Sequence, residues 1–205
     1  MNKIELDNVV INCDDDKVLY LFDDKNKNYT FNVKDSKLIV YHYVIDSTIN
    51  VEVNLNSINS EIEYHYSIIN YNDNDYKIEV NHNYKNTYSN IYNHGVNIND
   101  NKLHFDIIGS VGKDISGCTC NQENQIININ DGNSTILPKL LIDNYDINSS
   151  HSAYIGKFSN DILFYLMSRG ISKDNTYKML IKSLLINGGE ESVELEKFKE
   201  KIENI

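Results

Sequence analysis

Cys118 and Cys120 form a Cys-x-Cys in a segment that reads as extended chain. On a strand, residues i and i+2 point to the same face, so the two thiols would lie side by side. Two soft thiolates could begin an iron–sulfur or zinc site, which takes about four ligands. No second pair exists, and the third cysteine, Cys13, is far away in sequence. Free cysteine is also among the most buried residue types, so core packing is the competing reading. His151 is the other candidate ligand. A neutral imidazole binds iron well and could complete a site whose thiolates come from a partner; the alternative is a hydrogen-bonded histidine fixing the last strand against a helix. His82 and His94 could sit on adjacent coils of a repeating β structure, or simply at the edge of a core.

Other chemistries find little support. The chain has no Gly-x-x-x-x-Gly-Lys-Ser/Thr loop, no Gly-x-Ser-x-Gly elbow and no His-Glu-x-x-His. The acidic clusters Asp14-Asp15-Asp16, Asp23-Asp24-Lys25-Asn26, Asn72-Asp73-Asn74-Asp75 and Asn99-Asp100-Asn101-Lys102 lack EF-hand spacing and read as solvated turns. No acidic pair stands out as that of a glycosidase. The chain therefore reads as a non-enzyme.

The elements that must carry these residues follow from periodicity. Leu38-Ile39-Val40-Tyr41-His42-Tyr43-Val44, Val51-Glu52-Val53-Asn54-Leu55, Ile62-Glu63-Tyr64-His65-Tyr66 and Lys77-Ile78-Glu79-Val80 are β-branched and aromatic runs with period two. Turn clusters separate them at roughly 8–12 residue intervals, which fits a sandwich, a barrel or a solenoid. This β body covers residues 1–157. The pattern changes in the segment 158–205. Ser159 can cap a helix carrying Ile162, Leu163, Leu166 and Met167, and Gly170 can stop it. Ser172 can cap a second helix carrying Met179, Leu180, Leu184 and Leu185, ended by Gly188-Gly189. Leu195, Phe198 and Ile202 mark a third, with a solvated charged face. Gly95, Gly109 and Gly156 read as turn or bulge positions, or places of close backbone approach.

The net charge of −11 over 205 residues, without clustered Lys and Arg, argues against nucleic acid and against an anionic membrane surface. No apolar run is long enough to span a bilayer. The start, Met-Asn-Lys-Ile-Glu-Leu-Asp, lacks a signal-peptide core, and an odd count of cysteines fits a reducing compartment; the expected location is cytoplasmic. The abundance of asparagine reads as codon bias of an AT-rich genome, since regular apolar alternation speaks against a disordered tract.

The segment HSAYIGKFSNDILFYLMSRGIS, residues 151–172, resembles the C-terminal signature of the SufB/SufD family. The matching positions are His151, Ala153, Gly156, Asp161, Leu163, Phe164, Tyr165, Leu166, Ser168, Arg169, Gly170 and Ile171. Upstream, His82, Thr87, Ser89 and Gly95 resemble a further family pattern, Phe105 and Gly109 its next element, and Pro138 a family proline. The resemblance implies a right-handed parallel β-helix with a short C-terminal helical segment. It implies a scaffold or accessory subunit for iron–sulfur cluster assembly, with a transient cluster shared with a partner. The implied partners are a SufC-like ABC ATPase and either a SufB-like subunit or a second copy of the chain. A metal-independent β-solenoid binding module is the alternative function. The chain begins in strand-like sequence where the family carries an N-terminal helical domain. Gly132 stands where SufB-like members carry a scaffold cysteine, Ser152 where they carry an acidic residue, and Ser149 where SufD-like members often carry a cysteine. The likeness is therefore closer to the SufD side.

The same resemblance makes the first helix the ATPase-docking element. Its run Ile162, Leu163, Phe164, Tyr165, Leu166, Met167 is more apolar than one buried stripe needs. Phe164 and Tyr165 are the expected anchors. Arg169 either caps the helix C-terminus or pairs with the ATPase. Against this stands a first helix buried on both faces within the chain.

Overall fold

The computed structural model describes residues 7–186 and 188–205. Strands come first: β1 (Asp7–Cys13), β2 (Lys17–Asp23), β3 (Lys27–Val33), β4 (Lys37–Ile45), β5 (Ile49–Leu55), β6 (Glu61–Asn70), β7 (Asn74–His82), β8 (Tyr88–Asn97), β9 (Lys102–Val111), β10 (Cys118–Asn128), β11 (Asn133–Ile142) and β12 (Ile147–Gly156). Helices α1 (Asn160–Ser168), α2 (Lys173–Leu185) and α3 (Val193–Glu203) follow.

Odd strands form one sheet, in the order β1-β3-β5-β7-β9-β11, and even strands the other, β12-β10-β8-β6-β4-β2. Within each sheet the pairing is parallel, as between β6 and β8 or β7 and β9. The chain thus alternates between two sheets and climbs one rung with every second strand, which makes a parallel β-solenoid. Period-two alternation explains each rung. In β5, Val51, Val53 and Leu55 are buried while Glu52 is exposed. Stacked rungs then bury Phe31, Val53, Val80, Tyr64 and Ile62 in one continuous core.

Asparagine has a second role that composition did not suggest. Rung on rung, Asn8, Asn28 and Asn50 join side chain to side chain, as do Asn12, Asn32, Asn54 and Asn81. Such ladders satisfy amide groups along a parallel stack. Asp35, Asp46, Asn59 and Asn86 take the left-handed conformation at corners between strands.

The helices fold back over the outer face of the even sheet. Ile181, Leu185, Leu195, Phe198 and Ile202 bury against Tyr43, Ile69 and Val96, and Phe198 stacks on Tyr43 at 5.0 Å. A fully buried Phe or Ile side chain contributes roughly 1.5–3 kcal/mol, so five of them hold α2 and α3 in place. Ser172 and Ser192 cap their helices through their side chains, and Gly170 has φ +89 after α1. Ser159 occupies the N-cap of α1 but makes no side-chain cap bond, contrary to the expectation; its carbonyl alone accepts from Leu163 N–H. No helix among the described residues is long and apolar enough to cross a membrane.

Candidate functional site

The inner face of the even sheet changes character along the solenoid. One column in register runs Leu38, Ile62, Ser89, Cys120, Ser149; the next runs Val40, Tyr64, Ile91, Gln122, His151; the third runs His42, Tyr66, Asn93, Asn124, Ala153. In the first two columns apolar rungs give way to polar ones toward β12. Amides answer the polarity: Asn93 Nδ2 donates to Asn124 Oδ1, Asn124 Nδ2 to the Ser152 carbonyl, and Gln122 Nε2 to the Lys139 carbonyl.

The Cys-x-Cys lies in this polar stretch. Both thiols are free and buried. Cys118 Sγ lies 3.2 Å from Thr87 Oγ1, which donates to the Tyr84 carbonyl and meets His82 Nδ1 at 2.8 Å. His82 Nε2 meets Ser89 Oγ at 2.9 Å, and the Ser89 hydroxyl is bonded to the Cys120 thiol. Because Thr87 already donates to a carbonyl, it accepts from His82 Nδ1–H. Nε2 then accepts from Ser89, each thiol lies beside a hydroxyl, and Cys118 Sγ also reaches the Tyr84 and Ser116 carbonyls. Burial holds His82 down at about 4, so the ring is neutral at pH 7. Burial also pushes the Cys120 thiol up, with the Ser89 bond opposing it. Burial thus holds Cys120 as a thiol, a poor nucleophile and a poor ligand. Among the described residues no three His, Cys, Asp or Glu side chains converge to hold a metal ion.

Gly109 makes room for this cluster. It sits inside β9, and a Cβ there would approach Cys120 Sγ to 2.4 Å. Gly95, inside β8, faces Leu103 and Phe105 in the same way. Neither is a turn residue; close approach within the core accounts for both. Pro138 lies on β11, an edge strand, where a missing N–H is tolerated.

His151 is exposed on β12, the last rung of the even sheet. Its register partner Gln122 points inward, so strand alternation turns His151 to the inner side, at a solenoid end with no further coil above it. His151 and the cysteines are thus on one inner face but are not brought together. His94 is buried beside Glu123 on the outer face of the same sheet, where burial lowers its pKa.

On α1 no residue is buried. Phe164 is 70% exposed and Tyr165 58%. Leu163 and Leu166 are half-buried, and α1 packs against α2. The alternative of a helix buried on both faces is therefore excluded. Arg169 is the C-cap residue, and its guanidinium lies over the Tyr165 ring at 5.1 Å.

One polar cluster escaped the sequence reading. Asp23, taken as part of a solvated turn, is buried. It accepts from Tyr29 OH at 2.7 Å, meets His42 Nε2 at 2.8 Å and pairs with Lys27. Burial raises its pKa, but the bonds to His42, Lys27 and Tyr29 prevail and hold it at about 2. His42 Nδ1 takes the Tyr64 hydroxyl at 2.7 Å. Every member is satisfied, and all but the half-buried Lys27 are buried, so this network holds the first coils together.

Comparison with known proteins agrees with this geometry. A family model described as SUF system FeS cluster assembly, SufBD core domain, matches residues 31–184. The chain belongs to the SufBD core family. Its relatives include the iron-sulfur cluster assembly protein SufD of Bacillus subtilis, 31% identical over 96 residues, which are 46% of this chain and 22% of that protein. An iron-sulfur cluster assembly SufBD family protein of Staphylococcus haemolyticus is 32% identical over 101 residues, 49% of this chain and 22% of that protein, and one of Staphylococcus aureus matches to the same extent. The matched segment thus spans about a fifth of these relatives. A Cβ at Gly132 would meet Asn97 Nδ2 at 2.4 Å and Asn128 Oδ1 at 3.0 Å, so the asparagine corner occupies the space a cysteine side chain would need.

Proposed function

We propose that this chain is a scaffold or accessory subunit for iron–sulfur cluster assembly. It acts with a SufC-like ABC ATPase docked on α1, and it pairs through the open end of its solenoid with a SufB-like subunit or a second copy of itself. The observation that carries the reading is an exposed, inward-turned His151 at the open end of a SufBD core domain. The cluster is cargo, and this chain supplies only part of its ligand set. His151 offers an imidazole, the neighbouring column residue is Ser149 rather than a thiol, and Gly132 has no room for one. The partner supplies the thiolates.

Both surfaces this requires are available. β11 and β12 each end a sheet and leave a row of backbone groups for a partner strand. Ile162, Phe164, Tyr165 and Met167 give α1 an apolar surface that a lone helix rarely exposes. The test of the docking part is calorimetric titration of the ATPase with the full chain and with Phe164→Ala and Tyr165→Ala. Each exposed side chain can go without loss of fold, and each, as a hot spot worth about 2 kcal/mol, is expected to weaken binding roughly 30-fold. Unchanged binding in the double variant overturns the docking assignment.

A further inference from the structure

Gln122 and His151 stand opposite each other on β10 and β12. Neighbouring strands lie about 4.8 Å apart, and strand alternation sends both side chains to the inner side. Gln122 is 4% exposed, and its Nε2 donates to the Lys139 carbonyl on β11 at 3.2 Å. That bond settles which end of the amide is nitrogen, because a carbonyl only accepts. The other end, Oε1, is buried and has no hydrogen-bond partner among the described residues. A buried orphan carbonyl costs about 1–3 kcal/mol. Its register neighbour carries a ring N–H and stands exposed at the end of the solenoid, with room to turn.

We infer that Gln122 is the positioning residue for His151: its Oε1 accepts the His151 Nδ1–H. Nδ1 is the ring nitrogen nearer the backbone and so within reach of a side chain on the next strand. Nε2 projects beyond it. With the proton held on Nδ1, the Nε2 lone pair faces the open end, where a metal of the cargo would take it. Ligating histidines characteristically donate their other N–H in this way, which fixes tautomer and ring orientation. Gln122 touches no cargo itself. Lys139 completes the relay, since its carbonyl holds the amide in the orientation that presents oxygen to His151. The purpose of this arrangement rests on the proposed role of His151; the hydrogen bond itself does not.

The test is the tautomer of His151 in the uniformly ¹⁵N-labelled full chain, read from two-bond proton–nitrogen correlations at mildly alkaline pH. The His151→Ala spectrum identifies the resonances. The expected result is a dominant Nδ1–H tautomer, lost several-fold in Gln122→Met, which keeps the side-chain length but has no acceptor. Gln122→Glu, which keeps an acceptor at the same place, is expected to restore it. A dominant Nε2–H tautomer in the wild type overturns the inference without any variant, which covers the case of a Gln122→Met that does not fold. A ratio unmoved by Gln122→Met also overturns it. The expected tautomer together with an assembled complex that keeps its iron without His151 would sink the cluster role and leave this hydrogen bond standing.

Discussion

Gly109 and Cys120 occupy one volume from two strands: a Cβ on Gly109 would stand 2.4 Å from Cys120 Sγ. The glycine is a packing requirement of the thiol. Gly109→Ala is expected to destabilise the fold by about 1–3 kcal/mol, the usual cost of overpacking a core. Cys120→Ala removes the obstacle, so the double variant should recover most of that loss. Urea denaturation of the four proteins in the cycle measures the coupling. An equal cost of Gly109→Ala in both backgrounds would show that the two residues do not share the space.

Stability should fall as the pH drops below neutrality, and His82 is one cause. Its folded pKa of about 4 lies below the ordinary 6.5. Between those values the unfolded chain binds a proton that the folded chain does not. The stabilisation is therefore complete above pH 6.5 and is lost as the pH falls toward 4. At pH 5 the loss from His82 alone is about 2 kcal/mol, 1.5 pH units at about 1.36 kcal/mol each. His42 and His94, also lowered by burial, act in the same direction. Asp23, held at about 2, adds its loss only below about pH 4. Chemical denaturation at pH 7 and pH 5 checks this, and His82→Gln should flatten the dependence. A slope unchanged in that variant would remove His82 from the account.

The corner built on Asn97 gives a third expectation. Its Oδ1 accepts from Asn70 Nδ2 at 2.9 Å, and its Nδ2 donates to the Asn101 carbonyl at 2.7 Å. Asn97→Ala leaves the buried Asn70 amide short of an acceptor and takes one of two donors from the Asn101 carbonyl, and is expected to cost about 2 kcal/mol. Asn32→Ala, in an exposed ladder, should cost less than about 1 kcal/mol. Similar costs at the two sites in thermal or urea unfolding would mean that burial does not set the value of these ladders.

What the sequence showed and what it hid follow from one cause. Alternation within a strand is local, so Ile62-Glu63-Tyr64-His65-Tyr66 displays its inner and outer faces directly. Helical stripes such as Leu195, Phe198 and Ile202 are local in the same way. The choice between a sandwich and a parallel solenoid is not local, and only the resemblance at residues 151–172 decided it. Register between distant rungs is equally hidden. Asp23 reads as a turn residue because its neighbours are polar, whereas its partners Tyr29, His42 and Lys27 arrive from other strands. The asparagine ladders need the same register, so their residues looked like a compositional accident. Gly95 and Gly109 read equally as turn markers or as places of close approach, and only the side chains packed against them decide for the second. Cys118 and Cys120 share a buried face as alternation implied, but the His82, Thr87 and Ser89 groups of the hydrogen-bonded cluster around them come from β7, β8 and the turn between them.

The central claim is that His151 takes part in holding cluster cargo shared with a partner. It is tested most directly by iron and acid-labile sulfide in this chain co-expressed with the proposed SufC-like ABC ATPase and SufB-like subunit and purified without oxygen. The account predicts that the wild-type complex retains both, and that His151→Ala assembles equally well but loses most of its iron, because His151 is exposed on the last rung of the even sheet. A His151→Ala complex with undiminished iron and sulfide, or a wild-type complex with none, would contradict it.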